Sequence, residues 1–213
     1  MRTYKTEGII LSRRNFSESD RILTILTKYH GKITVIAKGV RRIKSKKAPY
    51  LDQLSYSSLV LAKGRDLDLV IEASSIETFP KIKKNLYASV TALYGAELVD
   101  SLTSERMEGK NIFLLFLDFL GEVTKLEKIA KLNILRFAFE VKLLFTLGFW
   151  SQRQFKIGVR EREVFSQFLE KNLAEAKELK VESPKRLELI LKQEIEKIIE
   201  RRLKSPEILA DLY

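Results

Sequence analysis

The sequence predicts an α+β protein in which a small five-stranded β-barrel or sandwich precedes an all-α helical domain. Two successive patterns of apolar residues support this prediction. Five short apolar runs with turn signals between them fill the first 80 residues, as hairpin-connected strands do. After Pro80 the apolar residues recur at helical spacing instead. We therefore expect two domains, 1–80 and 81–213.

The first three predicted strands follow one another closely. Their apolar runs are TEGIILS, ILTILT and KITVIAK. In the third run Ile33, Val35 and Ala37 alternate with other residues, which places them on one face of a strand. His30-Gly31 precedes this run and indicates a tight turn, because glycine tolerates a positive φ.

The fourth and fifth predicted strands form another pair, SYSSLVLAKG and LDLVIEAS, connected through residues 63–66. Alternation in the fifth run predicts two faces, one with Leu67, Leu69, Ile71 and Ala73, the other with Asp68, Val70 and Glu72. A barrel of five strands in about 80 residues suits the OB-fold, whose open face and loops hold single-stranded nucleic acid.

The second predicted domain is built around two strongly apolar helices. Residues 112–123 and 132–147 are apolar on nearly every side, so we expect them at the centre of a bundle. Gly148 is a plausible C-terminal cap of the second. Amphipathic helices are predicted around residues 87–102, 164–169 and 187–199, with Pro184 just inside the start of the last.

Charge is concentrated in the first domain. The net charge is +11, and the first 80 residues hold 15 basic against 8 acidic side chains. Such an excess favours a polyanionic partner. Residues 38–47 follow the third strand and carry six cations without an acid, so we predict a flexible loop that contacts phosphate. The predicted nucleic-acid-binding residues are Arg13, Arg14, Arg21, Lys38, Arg41, Arg42, Lys44, Lys46 and Lys47.

Other residues near this loop leave alternatives open. Phe16 and Tyr50 lie in basic surroundings and are candidates to stack on bases, although aromatic residues near a barrel more often belong to its core. Glu18 and Asp20 either hold nearby arginines in place or are simply polar loop residues.

The sequence offers few candidate catalytic or metal-ligating residues. His30 is the one histidine, it sits at a turn, and there is no cysteine, so triads and thiolate zinc sites lack their side chains. Asp66 and Asp68 lie at a hairpin with Gly64 and read as turn residues rather than metal ligands. We predict no catalytic residue, no metal and no cofactor, and the absence of cysteine favours a reducing cytosol.

Several stretches together resemble the bacterial RecO recombination-mediator family. The first is TEGIILSRRNFSESDRILTILTKYHGKITVIAKGVRRIKS; the others are LVLAKGRDLDLVIEA, TALYGAELVDSL, NIFLLFLDFL, LNILRFAFEVKLLFTLGFW and RLKSPEIL. The most telling residues are Glu18-Ser19-Asp20, Gly31 and Ala37-Lys38-Gly39 followed by basic residues and Ser45. The resemblance covers nearly the whole chain.

The resemblance implies an N-terminal OB-fold joined to a helical domain in a non-enzymatic DNA-repair protein. Such proteins bind single- and double-stranded DNA and anneal complementary strands. With RecR and often RecF, they load RecA onto DNA coated by the single-stranded-DNA-binding protein (SSB). They are cytoplasmic and nucleoid-associated. The C-terminal tail of SSB, the single-stranded-DNA-binding protein, docks on the helical domain, for which Arg136, Lys142, Arg153 and Lys156 are suitable basic residues here.

The sequence departs from the family at one place. Many members carry a four-cysteine zinc module after the segment that matches Leu147-Gly148-Phe149, whereas SQRQFKIGVRERE follows here. Either the module persists without metal, or residues near 149–160 form a loop in its place. Trp150, Phe155 and Ile157 are available to offset by packing what thiolates would contribute.

Three rival functions remain open from the sequence. An RNA-binding OB-fold module has the same charge pattern. A metal-dependent nuclease would need converging carboxylates, and the sequence offers no convincing set. A membrane-surface role is the weakest, because the basic cluster is not on an evident amphipathic helix.

Overall fold

The N-terminal strands of the computed structural model close into a barrel. The structure describes residues 2–107, 109–149 and 157–200. The five strands are β1 (Thr3–Asn15), β2 (Arg21–Thr27), β3 (Gly31–Ala37), β4 (Tyr56–Ala62) and β5 (Asp68–Glu77). Their order around the barrel is β1-β2-β3-β5-β4, and β4 pairs with β1 to complete it. The β3–β5 pair is parallel, the others are antiparallel, and the OB-like arrangement predicted from the sequence is confirmed.

Alternating side chains fill the barrel. Ile33, Val35 and Ala37 all lie in its core, as predicted for the third strand. The other members of the core are Ile10, Leu23, Ile25, Val40, Leu51, Leu59, Leu61 and Val70. Val40 and Leu51 come from the connection between β3 and β4, which contains a short 3-10 helix, Ala48–Leu51, that the sequence analysis did not predict.

The predicted faces of the fifth strand are wrong in their middle part. Val60 pairs with Glu72 and the next residue, Leu61, pairs with Val70, so Ile71 is an extra residue in a β-bulge. Val70 therefore points into the core, whereas the Ile71 side chain is 44% exposed. A bulge resets the alternation that the prediction assumed to be unbroken.

Gly31 at the start of β3 has the left-handed conformation that its turn requires, with φ of 65°. A Cβ atom added here would lie 2.0 Å from the carbonyl oxygen of Met107. Close packing thus reinforces the conformational need for glycine. Residues 105 and 106 pair with the start of β3 in the same region. Lys32 forms an isolated parallel bridge with Glu105, and the Arg106 N–H donates to the Lys32 carbonyl.

Helices make up the rest of the described chain. They are α1 (Pro80–Lys84), α2 (Leu86–Leu102), α3 (Lys110–Val123), α4 (Ile129–Thr146), α5 (Val159–Glu170), α6 (Leu173–Ala176) and α7 (Pro184–Ile199). Chain contacts define two compact units, the first with Met1–Phe79 and Thr103–Leu114, the second with Pro80–Leu102 and the residues from Leu115 onward. The return of residues 103–114 to the first unit was not expected from the sequence.

In the second unit, α4 is buried along most of its length, as its apolar sequence predicted. The rings of Phe119 and Phe139 stack with centroids 4.2 Å apart, and Phe116 packs beside both. Gly148 ends α4 with φ of 76°, and its N–H donates to the Phe145 carbonyl, which confirms the predicted cap. Within the described residues, no helix is both long and apolar enough to cross a membrane.

Candidate nucleic-acid interface

Two loops meet at one end of the barrel. The β1–β2 loop, residues 16–20, leaves the barrel where β1 ends and β2 begins. Residues 38–47, which we call the basic segment, follow β3 at the same end, because Arg21 at the start of β2 pairs with Ala37 at the end of β3. The antiparallel register therefore brings the positive charge of the basic segment against the polar residues of the β1–β2 loop.

Asp20 joins the two loops. Its Oδ1 accepts a hydrogen bond of 2.8 Å from the backbone N–H of Gly39 and one of 3.1 Å from the Ser19 hydroxyl. The Gly39 hydrogen bond is the main reason why the pKa of Asp20 lies below its ordinary value. Asp20 has neither of the two roles left open by the sequence. It anchors the backbone of the basic segment rather than an arginine side chain.

The basic segment is folded rather than loose. The Arg41 N–H donates to the Ser19 carbonyl at 2.9 Å, and its guanidinium donates to the Ser17 carbonyl at 2.8 Å. Val40 is buried in the barrel core. At the other end, Lys47 Nζ donates to the Val70 carbonyl at 2.8 Å, and burial lowers the pKa of Lys47. The flexible loop expected from the sequence is instead a series of turns anchored at both ends.

Arg13 and Arg21 lie on one face of the β1–β2 ribbon. Arg13 is directly opposite Leu23, a barrel-core residue, and Arg21 is two residues from Leu23 on the same strand, so all three share a face. Burial lowers the pKa of Arg21, and the charges of Arg13 and Arg41 lower it further. Arg21 is therefore close enough to Arg13 and to Arg41 for its charge to be repelled by theirs.

The nine predicted DNA-binding residues differ in their exposure to solvent and in whether they form ion pairs. Arg13 forms an ion pair of 2.5 Å with Asp52, and Arg14 lies on the opposite face of the ribbon from Arg13. Arg21 and Lys47 are partly buried. In the part of the chain that the structure describes, five exposed members form no ion pair: Arg14, Lys38, Arg42, Lys44 and Lys46. Most of the predicted cations therefore remain available to an external anion.

Apolar side chains also reach solvent at this end of the barrel. Phe16 in the β1–β2 loop is 59% exposed, so it is not a core residue, whereas Tyr50 is half-buried in the 3-10 helix. Ile43, in the middle of the basic segment, is fully exposed at 104%. Ile43 was not among the predicted site residues, although an isoleucine among five cations in a turn-rich stretch was a signal that could have identified it.

Of the four basic residues suggested for the helical domain, the two that the structure describes, Arg136 and Lys142, are not exposed. Arg136 is buried, with ion pairs of 3.0 Å to Glu140 and 2.7 Å to Glu188, so it is not available to an acidic peptide. The reason is that α4 is buried on its polar side as well as its apolar one. Lys142 is half-buried and donates to the Leu169 carbonyl. Arg153 and Lys156 lie outside the described residues, as do Trp150 and Phe155 of the zinc-module replacement and the RLKSPEIL stretch.

Two family models match the chain in succession. "Recombination protein O N terminal" matches residues 1–79, and "Recombination protein O C terminal" matches residues 83–152. The first match covers the whole β-barrel and the basic segment. The second covers α2, α3 and α4, which hold most of the aromatic core of the helical unit.

Curated relatives carry the same description. The chain is 36% identical over 151 residues to the DNA repair protein RecO of Roseiflexus sp. (strain RS-1), covering 71% of this chain and 52% of that protein. It is also 36% identical to the RecO proteins of Pelotomaculum thermopropionicum and Acetivibrio thermocellus, covering 70% and 74% of this chain and 57% and 63% of those proteins. The matches thus span between about half and three-fifths of these relatives' length. With an OB-like barrel, a following helical unit and matches to both family models, the chain belongs to the RecO family of DNA repair proteins.

Proposed function

We propose that this protein is a DNA-binding recombination mediator. It binds single- and double-stranded DNA, anneals complementary strands, and loads RecA onto SSB-coated DNA together with RecR and, where required, RecF. Contact with the C-terminal tail of SSB is part of the same proposal, as is a place in the cytoplasm beside the nucleoid. The observation that carries the proposal is the anchored basic segment, whose exposed cations form no ion pair within the described residues.

The annealing step follows from charge. Two complementary strands repel each other through their phosphates, and a cationic surface that holds one or both lowers that repulsion. Each phosphate contact releases condensed counterions, which favours binding and makes it sensitive to salt. Contacts to the backbone leave the base edges free to pair, so charge neutralisation suits annealing better than base recognition does.

The basic segment is also preorganised for DNA binding. Its backbone is held by Asp20 at one end and by Lys47 at the other. Because the turn is already formed, little conformational entropy has to be lost when DNA binds. Arg42, Lys44 and Lys46 are then presented together, while Arg41 is committed to the β1–β2 loop.

The decisive variant replaces Arg42, Lys44 and Lys46 with glutamine and keeps Arg41, whose hydrogen bonds hold the segment. We expect weaker binding to single-stranded DNA, and a slope of log K against log salt reduced by about 2, since each single-strand phosphate contributes about 0.7. Fluorescence anisotropy over a salt series measures both. A matched control replaces the exposed Lys180, Lys185 and Lys192 of the helical unit in the same way.

The two variants have equal charge, so a general loss of positive charge would affect them alike. An equal loss in both would count against the basic segment as the binding surface. Annealing of complementary oligonucleotides, with and without SSB, then tests mediation. Acceleration by the wild type that the triple variant lacks supports the proposal, and no acceleration by the wild type contradicts it.

An RNA-binding OB-fold module is the second candidate, because the same cations would hold an RNA backbone. Matched DNA and RNA single strands of one sequence separate the two. Tighter binding to RNA would favour this candidate. The proposal includes no catalytic step, so DNA incubated with the protein and Mg²⁺ should remain intact.

A further inference from the structure

Ile43 is the most exposed large apolar side chain in the described part of the chain, and it lies between two unpaired cations, Arg42 and Lys44. We propose that Ile43 is a wedge that inserts between neighbouring bases of a single DNA strand held by the basic segment. This inference rests on the proposed function, because it requires that DNA binds here. It adds a contact to the bases that charge alone does not supply.

The position of Ile43 is set by hydrogen bonds. The Ser45 N–H donates to the Arg42 carbonyl at 2.9 Å, which closes a turn with Ile43 and Lys44 at its two central positions. A preceding turn is closed by the Arg42 N–H and the Gly39 carbonyl at 3.2 Å. Val40, inside the first turn, is buried in the barrel core, whereas Ile43, inside the second turn, is exposed to solvent.

The charges of Arg42 and Lys44 indicate which part of a DNA strand Ile43 contacts. When Arg42 and Lys44 contact phosphates, the side chain between them is carried against the strand, where the surfaces that exclude water are the base faces. Apolar wedges that separate bases are a known device of DNA-binding proteins, and isoleucine is among the residues used. The cost of exposing an isoleucine in the free protein is then offset when DNA binds.

A single strand is the favoured substrate for this wedge. Opening a base step in a duplex also disturbs pairing and stacking on the opposite strand, whereas neighbouring bases of a single strand separate at lower cost. Phe16, 59% exposed, lies in the loop to which the basic segment is tied through Asp20 and Arg41, and it offers a ring for a displaced base. Separated bases with free edges are ready to pair with a complement.

The test uses 2-aminopurine, whose fluorescence is quenched when it stacks, placed between adenines in a short single-stranded oligonucleotide. At saturating wild-type protein we expect a fluorescence increase of about two- to threefold. Ile43→Gln should abolish most of this increase even at a saturating concentration, because the remaining cations still hold the strand while the apolar contact to the bases is lost. Ile43→Leu should retain the increase, since leucine also serves as a wedge.

Ile76 provides a matched control. It is 46% exposed on β5, outside the basic segment, so Ile76→Gln should behave as the wild type. Anisotropy in the same cuvette separates the two proposals. Binding without a fluorescence increase overturns the wedge and leaves the proposed function standing, whereas no binding by the wild type overturns both.

Two further outcomes would also overturn the wedge. One is an increase with 2-aminopurine in a duplex but none in the single strand, which would contradict the choice of substrate. The other is binding to phosphatidylglycerol vesicles that Ile43→Gln abolishes, which would show that the side chain enters lipid instead. We expect neither, because one isoleucine buries too little apolar area to hold a protein at a membrane.

Discussion

Asp20 is a negative charge at the centre of a positively charged surface, yet its role is to support that surface. Its carboxylate holds the Gly39 N–H and the Ser19 hydroxyl, next to the backbone contact between Arg41 and Ser19. Electrostatics alone would predict tighter DNA binding when an acid is removed. The structure predicts the opposite when the hydrogen bond is removed as well.

We therefore expect Asp20→Ala to weaken single-stranded DNA binding about three- to fivefold, because the basic segment loses the hydrogen bond that orders its first residues. Asp20→Asn retains the accepting oxygen and removes the charge, so it should bind as tightly as the wild type or more tightly. Anisotropy measures the affinity, and hydrogen exchange of residues 38–47 measures the order. Tighter binding by Asp20→Ala would contradict the anchoring role.

Acidification should release the same anchor. The pKa of Asp20 is lowered in the folded protein, so its contribution is present above the ordinary aspartate value of 3.8 and is lost as the pH falls through the lower folded value. Exchange protection in residues 38–47 should therefore be unchanged down to a pH of about 4 and fall below it. A loss beginning near neutral pH would point to another group.

Arg136 is a second residue whose role follows from its surroundings. It is 5% exposed, pairs with the fully buried Glu140, and its guanidinium lies 5.5 Å from the Tyr94 ring. Burial raises the pKa of Glu140 even though the charge of Arg136 acts against it. Removing one partner leaves the other charge without compensation in the protein interior.

Arg136→Met should therefore lower the free energy of unfolding by about 3–5 kcal/mol, whereas Arg136→Met with Glu140→Leu should recover much of the loss. Glu188→Gln, at the exposed end of the network, should cost less than about 1 kcal/mol. Urea denaturation measures all three. A stable Arg136→Met variant that only loses a binding partner would restore the partner-binding role that the structure denies to Arg136.

At the scale of the element, two glycines show how context decides the effect of one substitution. Gly31 begins β3 with a positive φ and has no room for a Cβ beside Met107. Gly121 lies inside α3, and a Cβ there would meet nothing within 4 Å. Alanine is strained at the first position and favoured by helix propensity at the second.

Gly31→Ala should lower the free energy of unfolding by at least about 2 kcal/mol, through strain and the clash with Met107. Gly121→Ala should raise it by about 0.5 kcal/mol. Chemical denaturation of the two single variants gives both values. Equal effects of the two substitutions would be inconsistent with the turn described for Gly31.

The strand β5 is the element where sequence and structure differ most. Its run LDLVIEAS has three apolar residues in succession, 69–71, and nothing in those letters marks Ile71 as the extra one. The bulge arises from the register with β4, where Leu61 must reach the core beside Val70. Register depends on two strands at once, so one strand's pattern is not sufficient to predict it.

For the whole molecule, the charge is large and nearly independent of pH. Of the 213 residues, 39 are lysine or arginine and only His30 belongs to the type whose ordinary pKa lies between pH 5 and 8. We therefore expect DNA affinity to change less than about twofold between pH 6 and pH 8 at constant salt. His30 lies between β2 and β3, at the opposite end of the barrel from the basic segment. A larger change of affinity across this pH range would contradict the expectation.

Much about this protein could be derived from the sequence alone. The apolar periods identified the strands and the central helices, glycines located two of the turns, and the cluster of cations indicated a polyanionic partner. These features are local, since a few neighbouring residues determine a period, a turn or a charge density. They were enough to predict the barrel, the helical domain and the position of the basic segment.

Tertiary structure alone decided which side chains of one chemical type are exposed. Val40 and Ile43 are both apolar and three residues apart, yet one completes the core and the other faces solvent. Arg42 and Arg136 are both arginines, yet one is free and the other is buried in an ion-pair network. Burial depends on which distant element packs against a residue, and that information is absent from the residue's own neighbourhood in the sequence.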